Sequence, residues 1–259
     1  MQHSKTSTLS QRALSRLQAS PSDPVAEAIK KAVDDAIVRN EQKRERRKYL
    51  GASSIGEECS RKIQYRYLNY PIDEDKAFSA QTLRIFQFGH EIEDYAAKWL
   101  RDAGFDLRTE DKQGEQFGFS IADDQIKGHI DGVVCGGPVQ MGYPALWENK
   151  SANEKKFQAF VRHGVAKANP TYATQIALYQ TYMHLDEHPA LFTVVNKNTS
   201  EVYYELVPYN RELAQMASDK AVYILTASKA GDILPRVAQS RDFFLCKFCE
   251  YRETCWKGE

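Results

Sequence analysis

The chain lacks any apolar run close to the roughly 18–20 residues that a membrane-spanning helix needs, so the sequence predicts no such helix. It also lacks a net charge, because 35 basic residues balance 35 acidic ones, and the overall charge neither favours nor excludes a nucleic-acid partner. The N-terminal residues are polar and contain no apolar signal-peptide core. We therefore expect a cytoplasmic protein.

Cysteine is scarce, with five residues among 259, and its distribution is uneven. Three of the five lie in the segment CKFCEYRETC at 246–255. Because the cytoplasm keeps thiols reduced, such a cluster favours metal binding over a disulfide bond. The remaining composition, with 42% hydrophobic and 27% charged residues, is ordinary for a globular protein that can bury a sizeable core.

The apolar pattern predicts an α/β protein with a helical extension at its N-terminus. Residues 1–49 are expected to form this extension, with a disordered start and an amphipathic helix that Ser22 or Asp23 caps. Residues 50–259 are expected to form one domain. Its longer helices are predicted at about 80–103, 169–186 and 210–230, with strands at 115–121, 125–135, 145–151, 191–197 and 201–208. The first three strands are expected to form an antiparallel meander. This order suits a mixed sheet flanked by helices.

Two of the predicted strands carry charged residues in a pattern that suits phosphodiester hydrolysis. Asp131 lies in the apolar stretch GHIDGVV, and Glu148 and Lys150 lie two residues apart in ALWENKS, on the same face of a strand. Carboxylates are suitable ligands for Mg²⁺ or Mn²⁺, and a lysine can orient the attacking water and offset developing charge. An acidic–x–lysine triplet is also common as a surface salt bridge, so the neighbouring motifs decide between the two interpretations.

Those neighbouring motifs resemble the RecB-like branch of the PD-(D/E)XK nuclease superfamily. The matching segments, in chain order, are GHEIED (89–94), GHIDGV (128–133), ENK (148–150) and QIALY (175–179). The resemblance implies a restriction-endonuclease-like fold, a mixed central sheet flanked by helices. It also implies that Gln175 and Tyr179, on one face of a helix, contact the substrate or brace the site. Gly128 and Ile130 depart from the superfamily pattern, which often has a proline before the aspartate.

The same resemblance assigns roles to the charged residues. It implies that His90, Asp131 and Glu148 bind a divalent metal ion, to which the main-chain carbonyl of Asn149 can add a ligand. It further implies that Lys150 is the catalytic lysine. A histidine in a long helix is by itself most often an exposed or structural residue, so the assignment of His90 depends on the accompanying motifs.

The three clustered cysteines need a fourth ligand from elsewhere in the chain to complete a tetrahedral metal site. Cys246 and Cys249 have the spacing at which two thiolates bind one metal centre, Cys255 follows, and Cys59 or Cys135 could supply the fourth sulfur. Cys135 is equally well explained as a small buried residue. One early cysteine followed by C-x₂-C-x₅-C resembles the CRISPR-associated RecB-like exonucleases and the AddB nuclease domain. That resemblance implies a 4Fe–4S cluster on Cys59 and the three C-terminal cysteines, although four thiolates suit zinc as well.

The motifs together predict a Mg²⁺- or Mn²⁺-dependent DNA exonuclease that is stabilised by an iron–sulfur cluster. Its expected substrate is single-stranded DNA or duplex ends, a preference that rests on the resemblance alone. The alternative is a non-catalytic nucleic-acid-binding or assembly module with a four-cysteine zinc staple. DNA is the expected partner and no membrane is expected, while the N-terminal extension could recruit a protein. DNA repair, recombination, CRISPR adaptation and phage DNA metabolism are all compatible pathways.

Overall fold

The structure, a computed structural model, describes residues 23–257. These residues divide into two compact units, one of 23–44 with Phe78–Leu83 and the other of 45–77 with 84–257. Within the described range, no helix combines the length and the apolar character required to cross a bilayer. The disordered start expected for residues 1–21, and Ser22, lie outside the described residues. The boundary expected after residue 49 stays a prediction.

The smaller unit contains helix α1, Pro24–Gln42. Asp23 is its N-cap, because the carboxylate accepts a hydrogen bond from the amide of Val25 at 2.8 Å, and a proline begins the first turn as predicted. The apolar stripe of this helix is present in the sequence, but Val25, Ile29 and Val33 are all exposed. No residue of α1 is buried, so this helix contributes nothing to a core among the described residues.

The remaining elements are eight strands and eight α-helices among the described residues. The strands are β1 (Leu50–Gly51), β2 (Leu107–Arg108), β3 (Gly118–Ile121), β4 (Ile126–His129), β5 (Gly132–Val134), β6 (Ala145–Ala152), β7 (Ala190–Asn196) and β8 (Val202–Val207). The helices are α2 (Ala52–Ile55), α3 (Ser60–Tyr67), α4 (Ala80–Asp102), α5 (Glu154–Ala168), α6 (Pro170–Tyr182), α7 (Arg211–Ala230), α8 (Phe244–Lys247) and α9 (Arg252–Trp256). The long predicted helices and the β7–β8 hairpin are confirmed, whereas sequence analysis missed α5.

The strands form two sheets. The central sheet has the order β2–β5–β6–β7–β8, in which β6 and β7 are parallel and the other neighbours are antiparallel. The second sheet has the order β1–β4–β3. The predicted fold class, a mixed sheet with flanking helices, is therefore confirmed.

The strand predicted at 125–135 is wrong as a single element. It consists of β4 and β5, which belong to different sheets, and the chain leaves one sheet for the other at Ile130 and Asp131. The amide of Ile130 still donates to the carbonyl of Phe117 next to β3, whereas Gly132 already pairs with β6. The predicted meander is therefore two separate antiparallel pairs, and Asp131 lies in a bend between them instead of inside a strand.

Apolar side chains cover both faces of the central sheet. On one face Phe192 and Leu146 pack in a core that includes Ile176 of α6. On the other face Leu100 of α4 packs in a cluster with Trp147. Full burial of a side chain such as Phe192 contributes roughly 1.5–3 kcal/mol relative to exposure. Strand β6 is thus enclosed between two helical layers, which explains how charged residues on it become buried.

Candidate active site and cysteine pocket

Strand β6 brings the predicted acid–lysine pair together. The ammonium group of Lys150 donates a hydrogen bond to Glu148 Oε1, and Gln175 of α6 donates to the same oxygen at 2.7 Å. Glu148 is fully buried, and its other oxygen, Oε2, has no hydrogen-bond partner among residues 23–257. Because a buried carboxylate oxygen without a partner is costly, this atom is well suited to bind a cation.

Asp131 is fixed beside this pair by the backbone of β6. Its Oδ2 accepts a hydrogen bond from the amide of Asn149 at 2.7 Å. Burial raises the pKa of Asp131, and the charge of Lys150 opposes that shift. Burial by itself would lower the pKa of Lys150, but the charges of Glu148 and Asp131 together raise it. Lys150 therefore carries its positive charge at neutral pH.

The site holds more acidic groups than its lysine can neutralise. Burial raises the pKa of Glu148 to about 8, and repulsion from Asp131 adds to this effect. Glu93 of α4 is a third carboxyl, which sequence analysis missed. Burial raises the pKa of Glu93 to about 7, and Asp131 reinforces it. The available signal was its position three residues after His90, on the same helical face.

His90 is exposed on α4, and its charge favours the ionised form of Asp131, so it contributes to lowering that pKa. In the described part of the chain, no three histidine, cysteine, aspartate or glutamate side chains converge as a metal-binding group. The ligand set of His90, Asp131, Glu148 and the Asn149 carbonyl therefore stays a prediction. The buried oxygen of Glu148 and the excess of carboxylates nevertheless fit a hard divalent cation.

Tyr179 lies one helical turn beyond Gln175, as the motif implied. Burial raises the pKa of Tyr179, the nearby Glu148 raises it further, and the hydroxyl therefore stays protonated. The close packing of this ring explains one departure from the superfamily pattern. A Cβ atom on Gly128 would lie 2.7 Å from Tyr179 Cε1 and 2.6 Å from Phe119 Cε1, so only glycine fits there.

Two further residues that sequence analysis missed support the site. The ring of Tyr172 lies 5.3 Å from Lys150 Nζ, a cation–π contact that helps to fix the lysine. Thr193 of β7 accepts a hydrogen bond from Trp147 Nε1 at 3.1 Å and donates to Asn149 Oδ1 at 2.8 Å. Neither residue belongs to a charged motif, so no sequence pattern singled them out.

The cysteines predicted to share a centre line one pocket of about 430 Å³. They are Cys59, which precedes α3, and Cys246, Cys249 and Cys255 from the C-terminal segment. Cys135 lies elsewhere, near the carbonyl of Val133. All five cysteines are free thiols. Of the two candidates for the fourth sulfur, Cys59 therefore lies with the three C-terminal cysteines and Cys135 does not, while their shared metal centre stays a prediction.

The surroundings of the thiols are rich in hydrogen-bond donors. Arg61 Nη1 donates to Cys255 Sγ at 3.7 Å, and the amide of Tyr251 donates to Cys249 Sγ at 3.4 Å. Arg252 also lines the pocket, and its buried Nε has no hydrogen-bond partner within the described range. Burial raises the pKa of Cys249 to about 11, and the hydrogen bond from the Tyr251 amide opposes that rise. Hydrogen-bond donors of this kind would support sulfur atoms that are bound to a metal.

Comparison with known proteins gives one family and several similar structures. The family model described as the PD-(D/E)XK nuclease superfamily matches residues 8–256. Among solved structures, SSO0001 matches with a TM-score of 0.49 and 11% identity over 86% of this chain and 94% of that chain. LHK-Exo, an alkaline exonuclease from Laribacter hongkongensis, matches with a TM-score of 0.49 and 15% identity over 76% and 93% of the two chains. The structure of LHK-Exo in complex with dAMP matches with a TM-score of 0.47 and 15% identity over 72% of this chain and 90% of that chain. No curated protein sequence matches this chain significantly.

Proposed function

Because this chain belongs to the PD-(D/E)XK nuclease superfamily, we propose that it is a Mg²⁺- or Mn²⁺-dependent deoxyribonuclease. The observation that carries the proposal is the fully buried Glu148, whose Oε1 is held by Lys150 and Gln175 while Oε2 is left without a partner. A buried oxygen atom without a partner costs free energy in a purely structural residue, whereas a metal ligand needs such an atom. Nucleases of this superfamily generally use divalent metal ions.

The residues of the site would divide the chemistry among them. Glu148, Asp131, His90 and the carbonyl of Asn149 would hold the metal ion, which when bound polarises the phosphate and lowers the pKa of a bound water. Lys150 is positively charged, lies beside Glu148 and would offset the negative charge that develops on the phosphate. Gln175 orients Glu148 through Oε1 and leaves Oε2 for the cation.

The preferred substrate is proposed to be single-stranded DNA or duplex ends, cleaved as an exonuclease. This part of the proposal rests on the resemblance to RecB-like nucleases, as does the choice of DNA over RNA. A time course on oligonucleotides labelled at the 5′ or 3′ end would test it. Products that shorten progressively from one end support an exonuclease, whereas internal fragments at early times contradict it.

The activity is tested by incubating labelled single- and double-stranded DNA with Mn²⁺. Asp131→Asn, Glu148→Gln and Lys150→Ala should each lower the rate by a factor of about 100 or more, because each removes a group that stabilises the transition state. Glu212→Gln, at an exposed position of α7, is the matched control and should keep full activity. Degradation that survives all three substitutions would contradict the site assignment. A wild type that binds DNA but never cleaves it would favour the binding-module alternative.

The cysteine pocket is proposed to hold a 4Fe–4S cluster on the four cysteines that line it. The proposal is supported by four cysteines from two distant segments that line one pocket of about 430 Å³. Zinc is the alternative. Protein purified anaerobically should be brown, with broad absorption near about 400 nm and equal amounts of iron and sulfide. A colourless protein with one equivalent of zinc would overturn this assignment.

A further inference from the structure

The two segments that supply the cysteines are joined by four charged side chains. Arg66 of α3 donates to Glu57 Oε1 at 2.6 Å and to Glu250 Oε1 at 2.7 Å. Lys62 of the same helix lies 2.8 Å from Glu57 Oε2 and 3.3 Å from Glu250 Oε2. Each cation therefore bridges both carboxylates. Three of the four residues flank Cys59, and the fourth, Glu250, follows Cys249 directly.

These four residues, which we call the charge clamp, are better placed than ordinary surface ion pairs. Their side chains are only 21–40% exposed, and their charges cancel. An isolated exposed ion pair contributes little to stability. In a partly buried network, solvent screens the charges less, and a bridging arginine makes several contacts for the conformational entropy lost by one side chain. The clamp therefore has the geometry to hold two chain segments together without help from a metal ion.

A second set of contacts holds the same C-terminal segment. The carboxylate of Asp73 accepts hydrogen bonds from the amides of Glu253 and Thr254 at 2.6 and 3.2 Å, and from the Thr254 hydroxyl at 2.9 Å. The amide of Asp73 donates to the carbonyl of Glu250 at 2.9 Å. The ring of Tyr251 packs edge-on against Tyr65 of α3, with centroids 5.6 Å apart. None of these contacts involves a sulfur atom.

We propose that the charge clamp holds the C-terminal cysteines against the Cys59 segment in the metal-free protein, so that the thiol pocket is assembled before the metal centre forms. The purpose of the clamp rests on the proposed metal centre, whereas the contacts that form the clamp do not depend on it. Ligands that are already ordered lose less conformational freedom on binding, so the clamp raises the affinity of the pocket for its metal group. The four clamp residues are thus positioning residues that do not bind the metal themselves.

The experiment compares Glu250→Gln with Glu253→Gln. Both substitutions remove one carboxylate charge from the same segment, but the Glu253 carboxylate forms its ion pair with the exposed Arg241 at 2.7 Å, outside the clamp. Hydrogen exchange and limited trypsin digestion of residues 246–255 are measured in metal-free protein, and the protein is then loaded anaerobically with ferrous iron and sulfide. In Glu250→Gln, residues 246–255 should lose protection from hydrogen exchange and from trypsin. Half-maximal loading of this variant should require at least about tenfold more iron than the wild type. Glu253→Gln should match the wild type in both measurements.

Equal protection of the segment in metal-free wild type and Glu250→Gln would overturn the clamp. If Glu250→Gln loses protection in β6 and β7 as well, Glu250→Asp provides the second test, because it keeps the charge and should restore most of the protection and loading. Failure of that variant to restore either property would also overturn the inference. A wild type that takes up no iron or sulfide, while Glu250→Gln still releases the segment, would refute the proposed cluster and leave the clamp supported.

Discussion

Replacing Glu93 by glutamine should stabilise the metal-free protein at alkaline pH. Burial, reinforced by Asp131, raises the pKa of Glu93 from its ordinary value of 4.5 to about 7. Between about pH 4.5 and pH 7 the folded protein holds a proton that the unfolded chain has released, so stability falls as the pH rises through this window. Above about pH 7 both states are ionised, and the penalty stays constant.

The size of the effect follows from that pKa. The rise from 4.5 to about 7 corresponds to about 3.4 kcal/mol, at about 1.36 kcal/mol for each pKa unit. Glu93 is only partly buried, and water screens part of its interaction, so we expect a gain of about 1–2 kcal/mol for Glu93→Gln at pH 8.5. Well below pH 4.5 both states are protonated and the gain should vanish, and at pH 5 only a small part of it should remain.

Urea unfolding in the presence of a chelator measures this difference at pH 5 and pH 8.5. Glu91→Gln is the matched control, because Glu91 lies on the same helix but is exposed, and its stability should differ little from the wild type at either pH. The free energy of unfolding of Glu93→Gln should exceed that of the wild type mainly at pH 8.5. A gain of equal size at both pH values would refute the reasoning, since it would not arise from ionisation of Glu93.

Three further outcomes are expected. Thr193→Val should cost about 2–4 kcal/mol of stability in urea unfolding, because Trp147 Nε1 and Asn149 Oδ1 both lose a buried partner; a loss below about 1 kcal/mol would contradict this. Gly56→Ala should lower the melting temperature at a cost of roughly 1–3 kcal/mol, since its Cβ would lie 2.8 Å from Thr171 Cα; an unchanged melting temperature would contradict this. EDTA should abolish DNA cleavage and excess Mn²⁺ restore it without loss of iron, whereas irreversible loss would contradict two separate metal sites.

The elements of the fold were largely predictable because their signals are local. The proline and N-cap of α1, Gly104 after α4 and the turn between β7 and β8 each lie next to the element they define. The break at Asp131 was not predictable in this way. The sequence of β4 and β5 predicts one continuous strand. The two strands are distinguished by their pairing, because β4 pairs with β3 in one sheet and β5 pairs with β6 in the other.

The same contrast between local and distant signals applies to the site. The meeting of Glu148 with Lys150 follows from the two-residue period of a strand, so the sequence was sufficient to predict it. The burial of Glu93 depends on where α4 packs against the central sheet, and its position three residues after His90 was too weak a signal to single it out among 35 acidic residues. The choice of Cys59 over Cys135 came from the family resemblance, and the structure adds that Cys59 and the three C-terminal cysteines line one pocket.

Helix α6 connects the cysteine pocket to the carboxylates of the candidate active site. Pro170 and Thr171, in its first turn, line the cysteine pocket, and the Thr171 hydroxyl donates to the carbonyl of Gly56 at 3.3 Å. One turn later, Gln175 donates to Glu148. Because a single helical turn is rigid, a shift of the first residues of α6 would move Gln175 relative to Glu148. We therefore expect a change in the cysteine pocket to reach Glu148, the proposed metal ligand, through the start of this helix.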